Sequence, residues 1–419
     1  MLPIIDTLPT IKIERHHMVS NASMKSGIAA LAHADVVQRA RAMVPTLRAR
    51  HAETDLLAKA SEATAAELEH AGLFSLTVPR VYGGLQVEMA TWMQAISELG
   101  RGDGGVAWAA TLVNACNWMA AGLYPKHVAD EVFDKPNVRV AGVFSARGVE
   151  ARRVPGGIVV EKGMWFFNSG VYHAQWDLLG VPMFNEAGEP IGPGVALVPM
   201  RDVKILNDWD TVGLRGSGSS NVSMHSVFIP DERIVSLAAC NEGQAAGQFP
   251  NEASYHTAFA PLMVSVLSFP VLGSGMHMIE EFVESLPKRD IKLTPYTKQA
   301  EAAVTQVLVG EAGARIDAAK SLVASACSKM DFWAENRKTM PLLDRARICR
   351  DTAFADHLVW SAVDAIGSAS GGSFSRRGNV LSRIWSDVKV ASMHPFVSVT
   401  SNYENYGRIA CGLKELMPC

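Results

Sequence analysis

A few side chains in this 419-residue sequence could do chemistry. His394 could take a proton or polarise an N–H, because an imidazole changes its charge near neutral pH. Taken alone, such a histidine is more often a capping or core residue. Ser169 offers a hydroxyl, which could equally satisfy the backbone of a turn. Arg376 and Arg377 could contact a phosphate, and a solvated surface pair explains them equally well.

The standard motifs for nucleotide, metal and nucleophile sites are missing. No GxGxxG follows a strand, and the glycine-rich run 213–218 has the wrong spacing for a Rossmann site. The sequence has no Walker A lysine motif, no HExxH and no GxSxG. Its six cysteines form no CxxC pair and no cluster with zinc spacing. We therefore expect no metal site and a reduced compartment, with most thiols buried.

The charge balance argues against nucleic acid and membranes as partners. Lys and Arg number 39 and Asp and Glu 42, which gives a net charge of −3. Charged residues make up 19%, below the usual ~25%, so we expect a large core or a buried subunit interface. The apolar stretch 258–276 is interrupted by proline and glycine, which favours a buried helix over a membrane span. No signal peptide is evident, and a cytoplasmic protein is expected.

Helical and β-rich patterns divide the chain into three predicted domains. Residues 26–136 show helical spacing, including a helix over 55–71, and Pro45 should kink or restart the first helix. Residues 137–235 contain short β-rich runs separated by turn signals, which predicts a mostly antiparallel sheet. A polar loop over 236–255 should lead to a helical bundle over 256–419.

Four segments, in this order along the chain, resemble the acyl-CoA dehydrogenase fold. The segments are Gly72-Leu-Phe-Ser-Leu-Thr-Val-Pro-Arg-Val-Tyr-Gly-Gly84, Met164-Trp-Phe-Phe-Asn-Ser-Gly170, residues 211–230 with Gly213-Leu-Arg-Gly-Ser-Gly218, and Arg383-Ile-Trp-Ser-Asp-Val-Lys389. The resemblance implies an α+β fold with an α-helical N-domain, an antiparallel β middle domain of sandwich or barrel type and a C-terminal four-helix bundle.

One position departs from the dehydrogenases. The catalytic glutamate that commonly follows Asp387 in that group falls on Pro395 here, and proline cannot abstract a proton. The segment Asn168-Ser169-Gly170, the run 213–219 and His394 resemble instead a sister group, the two-component flavin-dependent aromatic monooxygenases (group D). Examples of that group are the 4-hydroxyphenylacetate and secosteroid-phenol hydroxylases.

This second resemblance implies a reaction and partners. Members take reduced FMN or FAD from a separate NAD(P)H-flavin reductase and use O2. They insert one oxygen atom into an aromatic substrate through a C4a-hydroperoxyflavin, which must be kept from water. Family members are commonly homotetramers. The resemblance therefore predicts an oxidoreductase with flavin, O2, a reductase and a small aromatic molecule as its partners.

The resemblance also assigns roles to residues. It implies that the Ser169 hydroxyl reaches the flavin N5 region and that His394 acts as a base or hydrogen-bonding group for the substrate. His173 is expected to be structural. The predicted flavin-binding residues are the aromatic walls Trp108, Phe144 and Phe167, with Trp165 as a weaker candidate; Ser145 at the flavin edge; Gly371, Gly372 and Phe374 from a neighbouring subunit; and Arg376 near a phosphate.

The expected substrate is small and neutral. Residues 257–269 should line the substrate side, and they include no Arg or Lys to bind a carboxylate or a CoA ester. An indole or an uncharged phenol therefore fits best. The alternatives are an acyl-CoA dehydrogenase-type oxidoreductase with a displaced base, an N- or S-oxygenating relative, and a catalytically idle flavin-binding protein.

Overall fold

The structure is a computed structural model that describes residues 22–243 and 248–419, with side chains described from residue 35. Helices before and after a β-rich middle region account for most of it. The helices are α1 Ala22–Ala49, α2 His51–Leu57, α3 Glu62–His70, α4 Met89–Gly102, α5 Gly104–Gly122, α6 Lys126–Val132, α7 Leu237–Asn241, α8 Phe259–Ser265, α9 Ser268–Ser285, α10 Ala303–Glu335, α11 Leu342–Ser368, α12 Val380–Ser392 and α13 Val399–Ala410.

The middle region forms two four-stranded sheets. Their strands are β1 Val140–Val143, β2 Glu150–Val154, β3 Gly157–Trp165, β4 Trp176–Phe184, β5 Pro190–Pro199, β6 Lys204–Ile205, β7 Val222–Pro230 and β8 Ile234–Ser236. The orders are β1-β4-β5-β8 and β2-β3-β7-β6, and every pair except the parallel β1-β4 is antiparallel. The mostly antiparallel sheet is thus confirmed, whereas the exact domain boundaries stay a prediction.

A small apolar core joins the two sheets. Ile158 and Trp165 of one sheet pack with Leu179 and Val181 of the other, and all four are buried. The Trp165 indole also donates to the backbone oxygen of Gly180 at 2.8 Å. Trp165 is therefore a core residue that fixes the end of β3, just before the segment that carries Ser169.

Three details of the helices differ from expectation. The single helix predicted over 55–71 is two helices, because Ala58 adopts a left-handed conformation and the Ser61 hydroxyl caps the second one. Residues 237–241 form the short helix α7 inside the predicted loop. Helix α1 continues through Pro45. The long helices α10 and α11 pack side by side as the centre of the C-terminal bundle.

The apolar stretch around α8 and α9 is a core element. Residues 259–288 are long and apolar enough to cross a membrane, but 89% of their most apolar window is buried inside the protein. Helix α9 packs against α4 and α11, so both the N-terminal and the C-terminal helices cover it. The expected buried helix is what the structure shows.

A buried ionic cluster holds α12 against α5. Arg383 contacts Asp55 at 2.8 Å, Asp103 at 2.9 Å and Asp387 at 3.5 Å. Asp103 also caps α5 by accepting from the Val106 backbone N–H at 2.9 Å. Because α12 ends two residues before His394, this cluster fixes the end of the chain that presents that histidine.

The glycine-rich loop 213–218 joins the same cluster. The Leu214 N–H donates to the carboxylate of Asp387. A side chain at Gly213 would lie 2.2 Å from the backbone oxygen of Ser386, and one at Gly216 would lie 3.0 Å from the Val106 nitrogen. Glycine is therefore required at both positions, because the loop lies directly against α12 and α5.

Candidate active site

The structure brings together three residues that are far apart in sequence. The indole N–H of Trp108, on α5, donates to Ser169 Oγ at 3.2 Å. The rings of Trp108 and His394 lie 5.9 Å apart, centroid to centroid, at an interplanar angle of 58°. Trp108 therefore links a hydroxyl from the middle region with an imidazole from the end of the C-terminal bundle.

The Ser169 hydroxyl belongs to a chain of buried hydroxyls. Its Oγ lies 2.7 Å from Ser219 Oγ, which lies 2.6 Å from Ser217 Oγ. Ser217 and Ser219 are in the loop that follows Gly213, and all three serines are buried. The glycine-rich loop thus serves the site through its serines, a role that its sequence does not reveal.

The segment that carries Ser169 is a constrained turn. The Asn168 N–H donates to the Ser220 backbone oxygen at 3.1 Å, and the Gly170 N–H donates to that of Ser217 at 2.9 Å. Gly170 has φ +75°, and a side chain there would lie 2.9 Å from Val113 of α5. These contacts hold the turn against α5, which brings Ser169 within reach of Trp108.

Phe167 is strained and exposed. It adopts φ +66°, a conformation that bulky residues rarely take, and 68% of its surface is exposed. Its N–H donates to Asn221 Oδ1 at 3.0 Å, and its ring meets Trp209 edge-on at 6.1 Å. Strain of this kind is frequent at functional sites, so the geometry agrees with a contact between Phe167 and a ligand.

A buried carboxyl group holds the turn through a hydrogen bond to Asn168. Asn168 Nδ2 donates to Asp177 Oδ2 at 2.7 Å, and both residues are fully buried. Burial raises the pKa of Asp177 to about 7. Sequence reasoning missed Asp177, because only the fold of the turn between β3 and β4 brings it to Asn168.

His394 caps a turn through Nδ1, and its Nε2 has no hydrogen-bond partner among the described residues. It precedes the 3-10 turn Pro395–Val397, and its Nδ1 accepts from the Phe396 N–H at 3.2 Å. Enclosure of the ring lowers the pKa of His394 to about 4, so the imidazole is neutral at neutral pH. Since Nδ1 accepts, the proton is on Nε2, which makes that nitrogen a donor.

Leu112 is a partly exposed apolar residue on the helix that carries Trp108. It is the only residue of α5 that is not buried, and it lies one turn after Trp108 on the same helix face. Helix α8 packs against the turn Pro395–Val397, next to His394. Helix α8 belongs to the stretch 257–269 that was expected on the substrate side, and its contact with this turn places that stretch near His394.

Two of the other predicted residues have contacts of their own. Phe144 is partly buried against the main core. Ser145 is exposed, and its Oγ accepts from the Arg147 N–H at 3.4 Å. Neither residue has a described hydrogen bond or ring contact with Ser169, Trp108 or His394. Their flavin-binding roles stay predictions.

The segment 371–376 lies at the end of α11. The Phe374 ring meets Trp385 edge-on at 6.2 Å. Gly371 and Gly372 are exposed, as is Arg376, which pairs with no acidic residue in the described part of the chain. An exposed segment agrees with the expected contact to a neighbouring subunit, and that contact stays a prediction.

The His173 side chain has a structural contact. Its Nε2 lies 3.1 Å from the Ala60 backbone oxygen, between α2 and α3, and burial lowers the pKa of His173.

A separate cavity of about 190 Å³ opens at the start of α4. Trp92, Trp118, Asp331 and Thr257 line it, and it includes none of Ser169, Trp108 or His394.

The residues around Ser169 fit a flavin ring. A serine hydroxyl can take part in three hydrogen bonds, and Trp108 and Ser219 account for two of them. The third remains for a ring nitrogen, and the Trp108 and Phe167 rings offer apolar surfaces beside it. A flat heterocycle with one polar edge suits this arrangement of groups.

Comparison with known proteins agrees with this geometry. Family models match residues 32–123 (acyl-CoA dehydrogenase, N-terminal domain) and 265–399 (acyl-CoA dehydrogenase, C-terminal domain). The chain is similar to the oxygenase subunit HsaA of a flavin-dependent monooxygenase from Rhodococcus jostii. The two are 28% identical, and the alignment covers 90% of this chain and 98% of that protein. It is also similar to the oxygenase component of an FADH2-dependent resorcinol hydroxylase from Rhizobium sp. These two are 25% identical, and the alignment covers 90% of this chain and 92% of that protein.

A solved structure extends the similarity. XiaF from Streptomyces sp., in complex with FADH2 and glycerol, is 30% identical and superimposes with a TM-score of 0.88. The match covers 94% of this chain and 99% of XiaF. The chain therefore belongs to the acyl-CoA dehydrogenase family and, within it, to the oxygenase components of two-component flavin-dependent monooxygenases.

Proposed function

We propose that this oxygenase inserts one oxygen atom from O2 into a small neutral aromatic molecule of the phenol or indole type. The observation that carries the proposal is the meeting of Ser169, Trp108 and His394, with the partly exposed Leu112 one turn after Trp108 on the same helix. In this proposal the Ser169 hydroxyl serves the flavin and the His394 imidazole serves the substrate, and both contact the Trp108 indole.

The cofactor is reduced FMN or reduced FAD, and it supplies the activated oxygen when bound. Ser169 would contact the flavin at N5, and Trp108 and Phe167 would cover the ring. Phe144, Ser145 and Arg376 would complete the flavin site, together with Gly371, Gly372 and Phe374 of a second subunit. Support comes from the free bonding capacity of Ser169 and from the strained, exposed Phe167.

His394 donates a hydrogen bond to the substrate. A phenol has a pKa near 10 and keeps its proton at pH 7, so a strong base would be needed to remove it in the ground state. An imidazole whose pKa is about 4 is a weak base, and its Nδ1 already accepts from Phe396. The Nε2–H is therefore the useful group, and it orients and polarises an oxygen or nitrogen atom on the aromatic ring.

A neutral substrate suits the residues at the site. Residues 257–269 bring no Arg or Lys to it, and the partly exposed Leu112 offers an apolar contact. The similar protein from Rhizobium is named for resorcinol, an uncharged phenol. Pro395 leaves that position without the carboxylate that an acyl-CoA dehydrogenase would place there.

The proposed assembly is a cytoplasmic homotetramer that receives flavin from a separate NAD(P)H-dependent reductase. The naming of relatives as oxygenase subunits or components supports the separate reductase. The exposed segment 371–376 supports a contact between subunits. All six cysteines are free, which agrees with a reduced compartment.

Matched substrates test the preference for neutral molecules. The assay combines the oxygenase, a flavin reductase, NADH and pairs of phenols or indoles that differ only by a carboxylate. We expect kcat/KM to be at least about tenfold higher for the neutral member, because a buried carboxylate without a cationic partner is strongly disfavoured. Faster turnover of the carboxylates would contradict the substrate class.

A further inference from the structure

We propose that Asp177 is a positioning residue that carries a proton and forms two parallel hydrogen bonds with Asn168, which hold the turn of Ser169. The inference rests on the proposed contact between Ser169 and flavin N5. The observation behind it is a pair of buried oxygen atoms. Asn168 Nδ2 donates to Asp177 Oδ2 at 2.7 Å, but Asn168 Oδ1 and Asp177 Oδ1 have no hydrogen-bond partner among the described residues.

A single proton on Asp177 satisfies both oxygens. A carboxylate oxygen and an amide oxygen are acceptors only, so neither can donate to the other. When Asp177 Oδ1 carries a proton, it donates to Asn168 Oδ1, while Asp177 Oδ2 still accepts from Asn168 Nδ2. Both residues are 0% exposed, so water does not readily supply the missing donor. A buried acceptor without a donor is costly, which favours the protonated pair.

The surroundings of Asp177 are apolar. Side chains alternate between the two faces of a strand, so Asp177 lies on the same face of β4 as Leu179 and Val181, which belong to the small core between the sheets. Its partners in register on the neighbouring strands are Ala141 of β1 and Val198 of β5. An ionised carboxylate at this place has no polar strand neighbour to stabilise its charge.

Burial in this core raises the pKa of Asp177 to about 7, and the opposing effects of Asn168 and the Leu178 N–H are weaker. A hydrogen bond that only the neutral acid can donate raises the pKa further. Asp177 therefore keeps its proton up to about neutral pH and loses it above.

No cation in the described part of the chain forms an ion pair with Asp177. The facing group on α5 is the Cys116 thiol, and burial raises its pKa, so it stays neutral. Strands β1 and β5 carry no titratable side chain. In the turn before β4, His173 contacts Ala60, and burial lowers the pKa of its imidazole. The charged residues of β2, which packs against β4, are Glu150, Arg152 and Arg153. The glutamate is exposed, and both arginines pair with other carboxylates.

Ionisation of Asp177 weakens the turn. The carboxylate keeps the bond from Asn168 Nδ2 but loses the bond to Asn168 Oδ1, and these two oxygens then repel each other. Asn168 directly precedes Ser169, so a shift of Asn168 also displaces the hydroxyl that accepts from Trp108. The ratio of hydroxylated product to H2O2 should therefore fall as pH rises through the pKa of Asp177.

The test compares this ratio between about pH 6 and 9 in the unmodified protein and in Asp177→Asn. The new amide permanently mimics the acid, because its NH2 donates to Asn168 Oδ1 and its oxygen accepts from Asn168 Nδ2. We expect the ratio to fall about fivefold in the unmodified protein, the worth of one hydrogen bond, and to stay constant in Asp177→Asn. A constant ratio in the unmodified protein, the same fall in both proteins, or a low ratio at every pH in folded Asp177→Asn would overturn the proposal.

Asp331→Asn is the matched control. Burial also raises the pKa of Asp331, to about 6, but this carboxyl group accepts from the Met89 and Ala90 N–H groups at the start of α4, beside the separate cavity. We expect its pH profile to match that of the unmodified protein. A constant ratio in Asp331→Asn would overturn the assignment to Asp177.

Infrared difference spectra test the proton without flavin or turnover. At about pH 6, subtracting the spectrum of Asp177→Asn from that of the unmodified protein should leave the carbonyl band of one protonated carboxyl group. Absence of this band would overturn the paired hydrogen bonds. Presence of the band without hydroxylated product at any pH would leave the pair standing and reject the proposed function instead.

Discussion

Replacing Ser169 by alanine should affect both the stability of the protein and the coupling of NADH consumption to hydroxylation, and the two effects can be measured separately. The substitution removes the acceptor for the Trp108 N–H and the partner of Ser219. Trp108 is 5% exposed, so its N–H is left buried without an acceptor, which costs about 1–3 kcal/mol. The same change removes the hydrogen bond proposed at flavin N5.

The expected functional result is a loss of coupling. The variant should still bind reduced flavin, but it should release more H2O2 for each NADH consumed. A lost hydrogen bond worth ~1.4 kcal/mol changes the ratio of hydroxylated product to H2O2 about tenfold. The assay measures NADH by absorbance, H2O2 by a peroxidase-linked dye and product by chromatography, in the same reaction.

A double variant distinguishes the two effects. Trp108→Phe keeps an aromatic ring but removes the N–H, so the pair Trp108→Phe and Ser169→Ala leaves no indole donor unsatisfied. We expect the double variant to recover much of the stability lost in Ser169→Ala, as measured by urea unfolding, and to stay uncoupled. Full coupling in Ser169→Ala would refute the contact with flavin, and recovery of coupling in the double variant would assign the defect to packing.

Four further results are expected. His394→Ala should lower the rate of hydroxylation about 10²-fold or more, while the reduced flavin continues to consume O2. His394→Gln should retain more activity, because the glutamine amide also donates a hydrogen bond. Rapid-mixing experiments measure both rates, and an equal loss of hydroxylation in the two variants would contradict the donor role. The pKa of His394 is lowered to about 4 in the folded protein, so between about pH 6.5 and 4 only the unfolded chain binds the extra proton, and the fold loses stability as pH falls. His394→Gln should reduce this loss of unfolding free energy by about 1.4 kcal/mol per unit of pKa depression. An unchanged dependence of unfolding free energy on pH would refute this prediction. Leu112→Phe should lower kcat/KM for an indole about tenfold more than for a phenol without changing the Kd for flavin, and a uniform loss would show that Leu112 does not border the substrate. Arg383→Met should cost about 3–5 kcal/mol of unfolding free energy, since Asp103 and Asp387 are 1% and 3% exposed and would lose their cation; a cost below about 1 kcal/mol would contradict the cluster.

The order of helical and β-rich regions could be predicted from the sequence, because the residue patterns that indicate them are local. Short β-rich runs separated by turn signals predicted the antiparallel sheet, and helical patterns over α10 and α11 predicted the bundle. The break between α2 and α3 was missed because Ala58 favours helix by itself, and its left-handed conformation has no sequence signal.

The site was accessible only in part. The resemblance singled out Ser169, Trp108 and His394, and the structure brings these three together. It gave no indication of Ser219, which contacts Ser169 from 50 residues away, or of Asp177, whose hydrogen bond with Asn168 depends on how the turn between β3 and β4 folds back. The tautomer of His394 depends on a cap with Phe396, which only the backbone geometry reveals.

The most direct test of the central claim is isotope incorporation. The oxygenase, a flavin reductase, NADH and a neutral phenol or indole are incubated under ¹⁸O2, and the product is analysed by mass spectrometry. The account predicts a product that is heavier by one ¹⁸O atom, with no label incorporated from H2¹⁸O in the reciprocal experiment. A product that carries oxygen from water, or an oxidised product without new oxygen, would contradict it.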